Sequence, residues 1–101
     1  MTNETYEFTF SPSVSLAEVQ DTLRLAEMSA GAIHGQADLL IDGQHQLDID
    51  KRTCRVDAGT VVGRDLVRLL VSFFSREFGP GAFRVERVGA DRWQRETARS
   101  A

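Results

Sequence analysis

Three side chains in this sequence are of the kinds that ligate transition metals or attack electrophiles: His34, His45 and Cys54. To share an ion they would have to meet within a few ångströms. If residues 36–42 form a strand rising ~3.3 Å per residue, the two histidines flanking it stand about 20 Å apart. The hairpin register argued below leaves His45 and Cys54 about four strand steps apart, on the order of 13 Å. The spacing therefore predicts no metal or cofactor site. Instead His34 ends a helix, His45 sits at the rim of the core, and Cys54 faces the helices as a small apolar residue. A thiol in such a layer has its pKa raised, which makes it inert.

The carboxylates Asp38, Asp48, Asp50 and Asp57, with Glu7 and Glu86, fall by alternation on the sheet face opposite the helices. They lack the loop spacing and glycine of an EF-hand, so the expectation is a solvated acidic face. Such a face repels phosphates, and the aromatic residues that an RNA-reading sheet needs there alternate to the other side. Nucleic acid is thus not an expected partner. The arginines at 84, 87, 92, 95 and 99 are interrupted by acids at 86, 91 and 96. One stretch points to small anions: Gly59-Thr60-Val61-Val62-Gly63-Arg64 opens a helix, where backbone amides, the helix dipole and a guanidinium converge. Thr60, Gly63 and Arg64 are the candidate ligand-binding residues, although the segment lacks the lysine and spacing of a phosphate loop and Asp57 opposes an anion nearby.

The elements that must position these residues follow from periodicity. Tyr6, Phe8 and Phe10 alternate with Glu7 and Thr9, the signature of a strand with one buried face. Ser15 and Glu18 make a capping box, with Val14 and Val19 placed as a hydrophobic staple. Leu16, Val19, Leu23, Ala26, Ala30 and Ile33 then step by threes and fours, predicting an amphipathic helix that ends near Gly31 or Gly35. Ala37, Leu39 and Ile41 read as one face of a strand, joined through the loop Asp42-Gly43-Gln44 so that Leu39 opposes Leu47. Beyond Asp50-Lys51-Arg52-Thr53, Ile49 pairs with Cys54 and Leu47 with Val56, or residues 46–57 form one bulged strand with the same buried set. Thr60 caps a second helix running to about Phe78, stopped by Gly79-Pro80. Phe83 to Val88 alternates as the final strand.

These elements run β-α-β-β-(β)-α-β. With right-handed crossovers, both helices land on one side of a mainly antiparallel sheet, giving an α+β two-layer sandwich. In element order alone this resembles the ferredoxin-like arrangement; no family motif accompanies it. At 101 residues, 42% hydrophobic and 27% charged, the chain is one domain of ordinary globular composition. Residues 1–88 are the expected domain and 89–101 a polar tail in which Trp93 is the only sizeable apolar residue. A single cysteine rules out an internal disulfide, no apolar run approaches ~18 residues, and the start lacks a basic leader; the expected location is cytoplasmic. The net charge of −3 divides into −6 over residues 1–57 and +3 over 58–101.

The second helix has apolar residues around most of its circumference, more than a helix lying on a sheet must bury. Val67, Val71 and Phe74 are the expected exposed interface patch. The leading expectation is a small non-catalytic interaction module that self-associates, as a two-fold dimer, through helix surface or a sheet edge. The alternative is a regulatory domain binding a small ligand or anion at the start of the second helix or at a subunit interface. An enzyme comes third, because no acid, base and nucleophile converge.

Overall fold

The computed structural model of the chain describes residues 4–89. Seven elements follow in order: β1 (Glu4–Phe10), α1 (Leu16–His34), α2 (Gln36–Asp42), β2 (His45–Asp48), β3 (Thr53–Asp57), α3 (Val61–Phe78) and β4 (Phe83–Gly89). The four strands form one antiparallel sheet in the order β2-β3-β1-β4, so the class is α+β with three helices. The expected C-terminal tail lies outside the described residues, apart from Gly89.

Local chemistry explains the long helices. Ser15 Oγ accepts from the Glu18 N–H at 3.5 Å and Thr60 Oγ1 accepts from the Gly63 N–H at 3.0 Å, so both helices begin on side-chain caps. Val14 is buried beside the first cap. α1 and α3 end where Gly35 and Gly79 take φ of +91° and +89°, a turn that residues with a Cβ rarely make.

Segment 36–42 departs from the expected strand. It is a two-turn helix, with Leu39 buried and Leu40 and Ile41 exposed. Over seven residues, apolar side chains at 37, 39, 40 and 41 satisfy either period, and the surroundings decide. Gly35 turns the chain sharply, and α2 packs back on α1 close to Gly31, where an added Cβ would lie in ordinary contact, 3.5 Å, with Leu39 Cδ2. The residues expected to pair with β2 therefore lie across α1 instead, and Asp38 leaves the sheet with them. Asp50 falls in the turn between β2 and β3.

The β2–β3 hairpin is shifted by two residues from expectation. Leu47 pairs with Cys54 and His45 with Val56. Ile49 lies in the turn, exposed, where the Asp48 carboxylate accepts from the Lys51 N–H at 3.1 Å and Arg52 adopts φ +54°. A two-residue shift preserves which face each side chain takes, so Leu47, Cys54 and Val56 still face the helices. From that turn the Arg52 guanidinium reaches back to the Ser11 and Val14 carbonyls and ties the hairpin to the start of α1.

The core lies between the helices and this face. Phe74 of α3, fully buried, meets Phe8 and Phe10 of β1 edge-on, with ring centroids 5.5 and 5.0 Å apart. Phe83 and Phe78 flank it. From α1 come Val19, Leu23, Ala26 and Ala30, the alanines allowing close approach to α3.

The opposite face is not simply a solvated acidic surface. Glu7 and Arg55 stand directly opposite on β1 and β3, joined by Arg55 Nε donating to Glu7 Oε2 at 2.7 Å, each side chain only 5% exposed. Thr5 and Thr53 are buried beside them. Asp48, Arg84 and Glu86 surround this polar centre.

Candidate functional site

The histidines and the cysteine each have separate surroundings. His34, at the end of α1, has Nε2 2.7 Å from Asp65 Oδ2 of α3, and Arg68 donates to the other carboxylate oxygen at 3.1 Å. These two donors hold the Asp65 carboxyl below the usual carboxylate range, the His34 hydrogen bond contributing most. His45 begins β2, with Nδ1 2.8 Å from the Gly43 carbonyl and Nε2 against the Glu27 carboxylate. Cys54 sits two strand steps from His45 rather than four, because of the shifted register. Its thiol is pushed up to about 12, first by burial and then by the Glu27 charge. Among the described residues, no three of His, Cys, Asp and Glu converge as metal ligands would.

The candidate anion-binding residues are engaged in holding the end of β3 to the start of α3. Thr60 Oγ1 donates to the Asp42 carbonyl at 2.7 Å and accepts from Gly63; Arg64 Nε donates to the Ala58 carbonyl at 3.3 Å. Gly63 is packed so tightly that a Cβ would lie 1.8 Å from the Asp57 carbonyl oxygen. Its glycine serves backbone packing. Asp57 also accepts from the Gly59 N–H through its carboxylate, closing the same turn.

Of the expected interface residues, Phe74 and Val67 belong to the core, and Val71 alone is open, at 37% exposure. The broad apolar arc of α3 is explained by three neighbours: the sheet, α1 and α2 each take part of it. The exposed apolar surface lies elsewhere. Leu25, Met28 and Ile33 of α1 and Leu40 and Ile41 of α2 are more than half exposed, Met28 and Leu40 above 70%. Met28 and Leu40 border a groove of about 470 Å³ between α1, α2 and the first residue of β2, with Leu39 in its lining and Glu27, Gln36, Gln44 and His45 as its polar groups. Sequence reasoning missed this groove because it treated 36–42 as a strand. The pair Leu40-Ile41 was the available signal, since alternation sends only one of two adjacent residues inward.

The two edges of the sheet also differ. β2 contributes four residues and β4 seven, all paired to β1 without a bulge. Ser11 N–H donates to the Ala82 carbonyl at 2.9 Å, which fixes the phase of the ladder. With the observed register, Arg84, Glu86 and Val88 bond to β1, while Phe83, Val85 and Arg87 turn their N–H and C=O groups outward. Among the described residues, no strand pairs with that outer side. No helix among them is long and apolar enough to cross a membrane. Comparison of the chain with protein-family models, with curated proteins and with solved structures finds no match.

Proposed function

We propose that this chain is a small non-catalytic interaction module, working as a self-associated pair and holding an apolar segment of a partner protein against α1 and α2. The observation that carries the reading is the α1–α2 face, where Met28 and Leu40, each more than 70% exposed, line a groove. Exposed apolar side chains bordering a groove on a small protein suit an interface. The outer edge of β4, at the far end of the sheet from β2, supports pairing of copies without covering that face. The strand order, with β3 between β1 and β2 and with β1 between β3 and β4, supports a ferredoxin-like reading of the fold. A free cysteine suits the cytoplasm as its location.

Sedimentation of the full chain over two decades of concentration tests self-association, and a strictly monomeric protein removes it. The partner face is tested with the fluorescent apolar probe anilinonaphthalene sulfonate on native protein. Met28→Lys with Leu40→Lys is expected to keep the wild-type melting temperature and lose most of the probe signal. Equal signals would remove the partner face.

A second reading, a small-ligand regulatory domain, is favoured by the groove volume, which falls within the ~300–1,000 Å³ typical of ligand sites. A thermal-shift screen of amphipathic aromatic compounds separates the two, since ligand binding raises the midpoint and His45→Ala would abolish the rise.

A further inference from the structure

We infer that two copies of this chain join through β4, edge to edge and antiparallel, in the register that places Val85 opposite its own counterpart. The inference rests on the self-association proposed above and assigns the surface that makes it.

Among the described residues no strand meets the outer side of β4; such an edge invites pairing, and proteins that avoid it shorten the edge, bulge it, or place proline or charge along it. Over Phe83–Gly89 β4 is seven residues long, unbulged and free of proline and lysine; its charges are Arg84, Glu86 and Arg87, of both signs, so they can complement a second copy of the same strand. Its outward backbone groups belong to Phe83, Val85 and Arg87, so a two-fold axis through Val85 joins Val85 to Val85 of the second copy and Phe83 to Arg87 on both sides. That arrangement exchanges about six main-chain hydrogen bonds. Two-fold symmetry perpendicular to the sheet keeps the helices of both copies on one side, extending four strands to eight.

Charge selects this register over its neighbours. Arg84 and Glu86 project from the face opposite the helices, and within one chain they lie 3.7 Å apart. With Val85 on the axis, Arg84 of each copy stands opposite Glu86 of the other, giving four alternating charges. Moving the axis to residue 84 opposes the two copies of Arg84, and moving it to residue 86 opposes the two copies of Glu86. An axis at residue 87 opposes two arginines on the helix side. Opposed like charges disfavour strand pairing, whereas opposed unlike charges favour it. On the helix side, Phe83 is only partly covered within its own chain and would face Arg87 of the second copy, whose guanidinium donates to Glu4 of its own chain at 3.5 Å and would present its stem to the ring.

The test is sedimentation of the full chain with single and double charge reversals. Arg84→Glu alone and Glu86→Arg alone each put like charges in opposition twice across the axis, and each is expected to weaken the dimer about tenfold or more. Arg84→Glu combined with Glu86→Arg restores the complementarity, and the dissociation constant is expected to return to within about threefold of wild type. Val85→Pro removes an outward N–H that β1 does not use, so the fold is retained and the dimer lost. If a dimer forms that ignores all of these changes, the β4 assignment is wrong while self-association stands. A strictly monomeric wild type overturns both.

Discussion

Gly63→Ala is expected to destabilise the protein, against the ordinary rule for helices. In the first turn of α3, replacing glycine with alanine would by propensity alone stabilise by ~0.5–1 kcal/mol. Here the added Cβ would lie 1.8 Å from the Asp57 carbonyl oxygen and 2.9 Å from its carbon. Real Cβ contacts below 3.0 Å essentially never occur, so the end of β3 and the start of α3 must separate by more than 1 Å. That backbone has little freedom to move: Asp57 N–H donates to the Gln44 carbonyl, Ala58 N–H to the Glu4 carbonyl, and Thr60 Oγ1 to the Asp42 carbonyl. Overpacking costs ~1–3 kcal/mol and one weakened hydrogen bond about 1 more, giving a net loss of about 1–3 kcal/mol after the propensity gain. With a urea m-value of ~1–2 kcal/mol per molar, the midpoint falls by about 1–2 M at unchanged m. Gly31→Ala is the control. It also lies within a helix, but its Cβ would meet only the flexible ends of Gln36 and Leu39 at 3.3 and 3.5 Å, and a small rise in midpoint is expected. A Gly63→Ala protein as stable as wild type would refute the packing argument for the β3–α3 junction.

Three further outcomes follow from the ionisable groups. Arg55→Ala removes the guanidinium that donates to the buried Glu7 carboxylate at 2.7 Å and is expected to cost about 3–5 kcal/mol, whereas Arg55→Met with Glu7→Leu recovers most of it in a double-mutant cycle. Cys54, with its thiol raised to about 12 and its side chain buried, should react with a thiol reagent at neutral pH only as fast as the protein opens; rapid labelling of native protein contradicts its burial. Asp65, whose carboxyl is held low by His34 and Arg68, stabilises the fold above its unfolded-state value and ceases to as pH falls through its lower folded value. The stability gap between wild type and Asp65→Asn should therefore close as pH drops below 3.8, and a gap that widens there would oppose the assignment.

Much of the fold was legible because several local signals agreed. The caps at Ser15 and Thr60, the stop at Gly79, and the alternation through Tyr6–Phe10 and Phe83–Val88 each correspond to an observed boundary or face; of the two stops expected for the first helix, Gly35 ends it and Gly31 lies within it. The pattern sets the hairpin two residues out of register, yet it puts Leu47, Cys54 and Val56 on the correct side because the shift is even. Segment 36–42 was misread since its apolar pattern is ambiguous over two helical turns. What resolves it is contact with α1 across Gly31, remote from any rule of local spacing. The candidate surfaces suffered in turn. Without α2 in view, the second long helix has apolar residues to spare, which is why the sequence pattern places Phe74 on an exterior it never reaches. Burial of Glu7 with Arg55 is half legible, because alternation puts Glu7 on the open face but nothing in the spacing indicates how little of it solvent touches.

Amide hydrogen exchange along β4 tests the pairing of two copies most directly. The N–H groups of Val85 and Arg87 point away from β1, so in a monomer they exchange as freely as any open edge while Arg84, Glu86 and Val88 are protected. Pairing through β4 predicts that Val85 and Arg87 become protected as concentration rises and lose that protection in Arg84→Glu. Fast exchange at both amides at every concentration, beside protected neighbours, would contradict it.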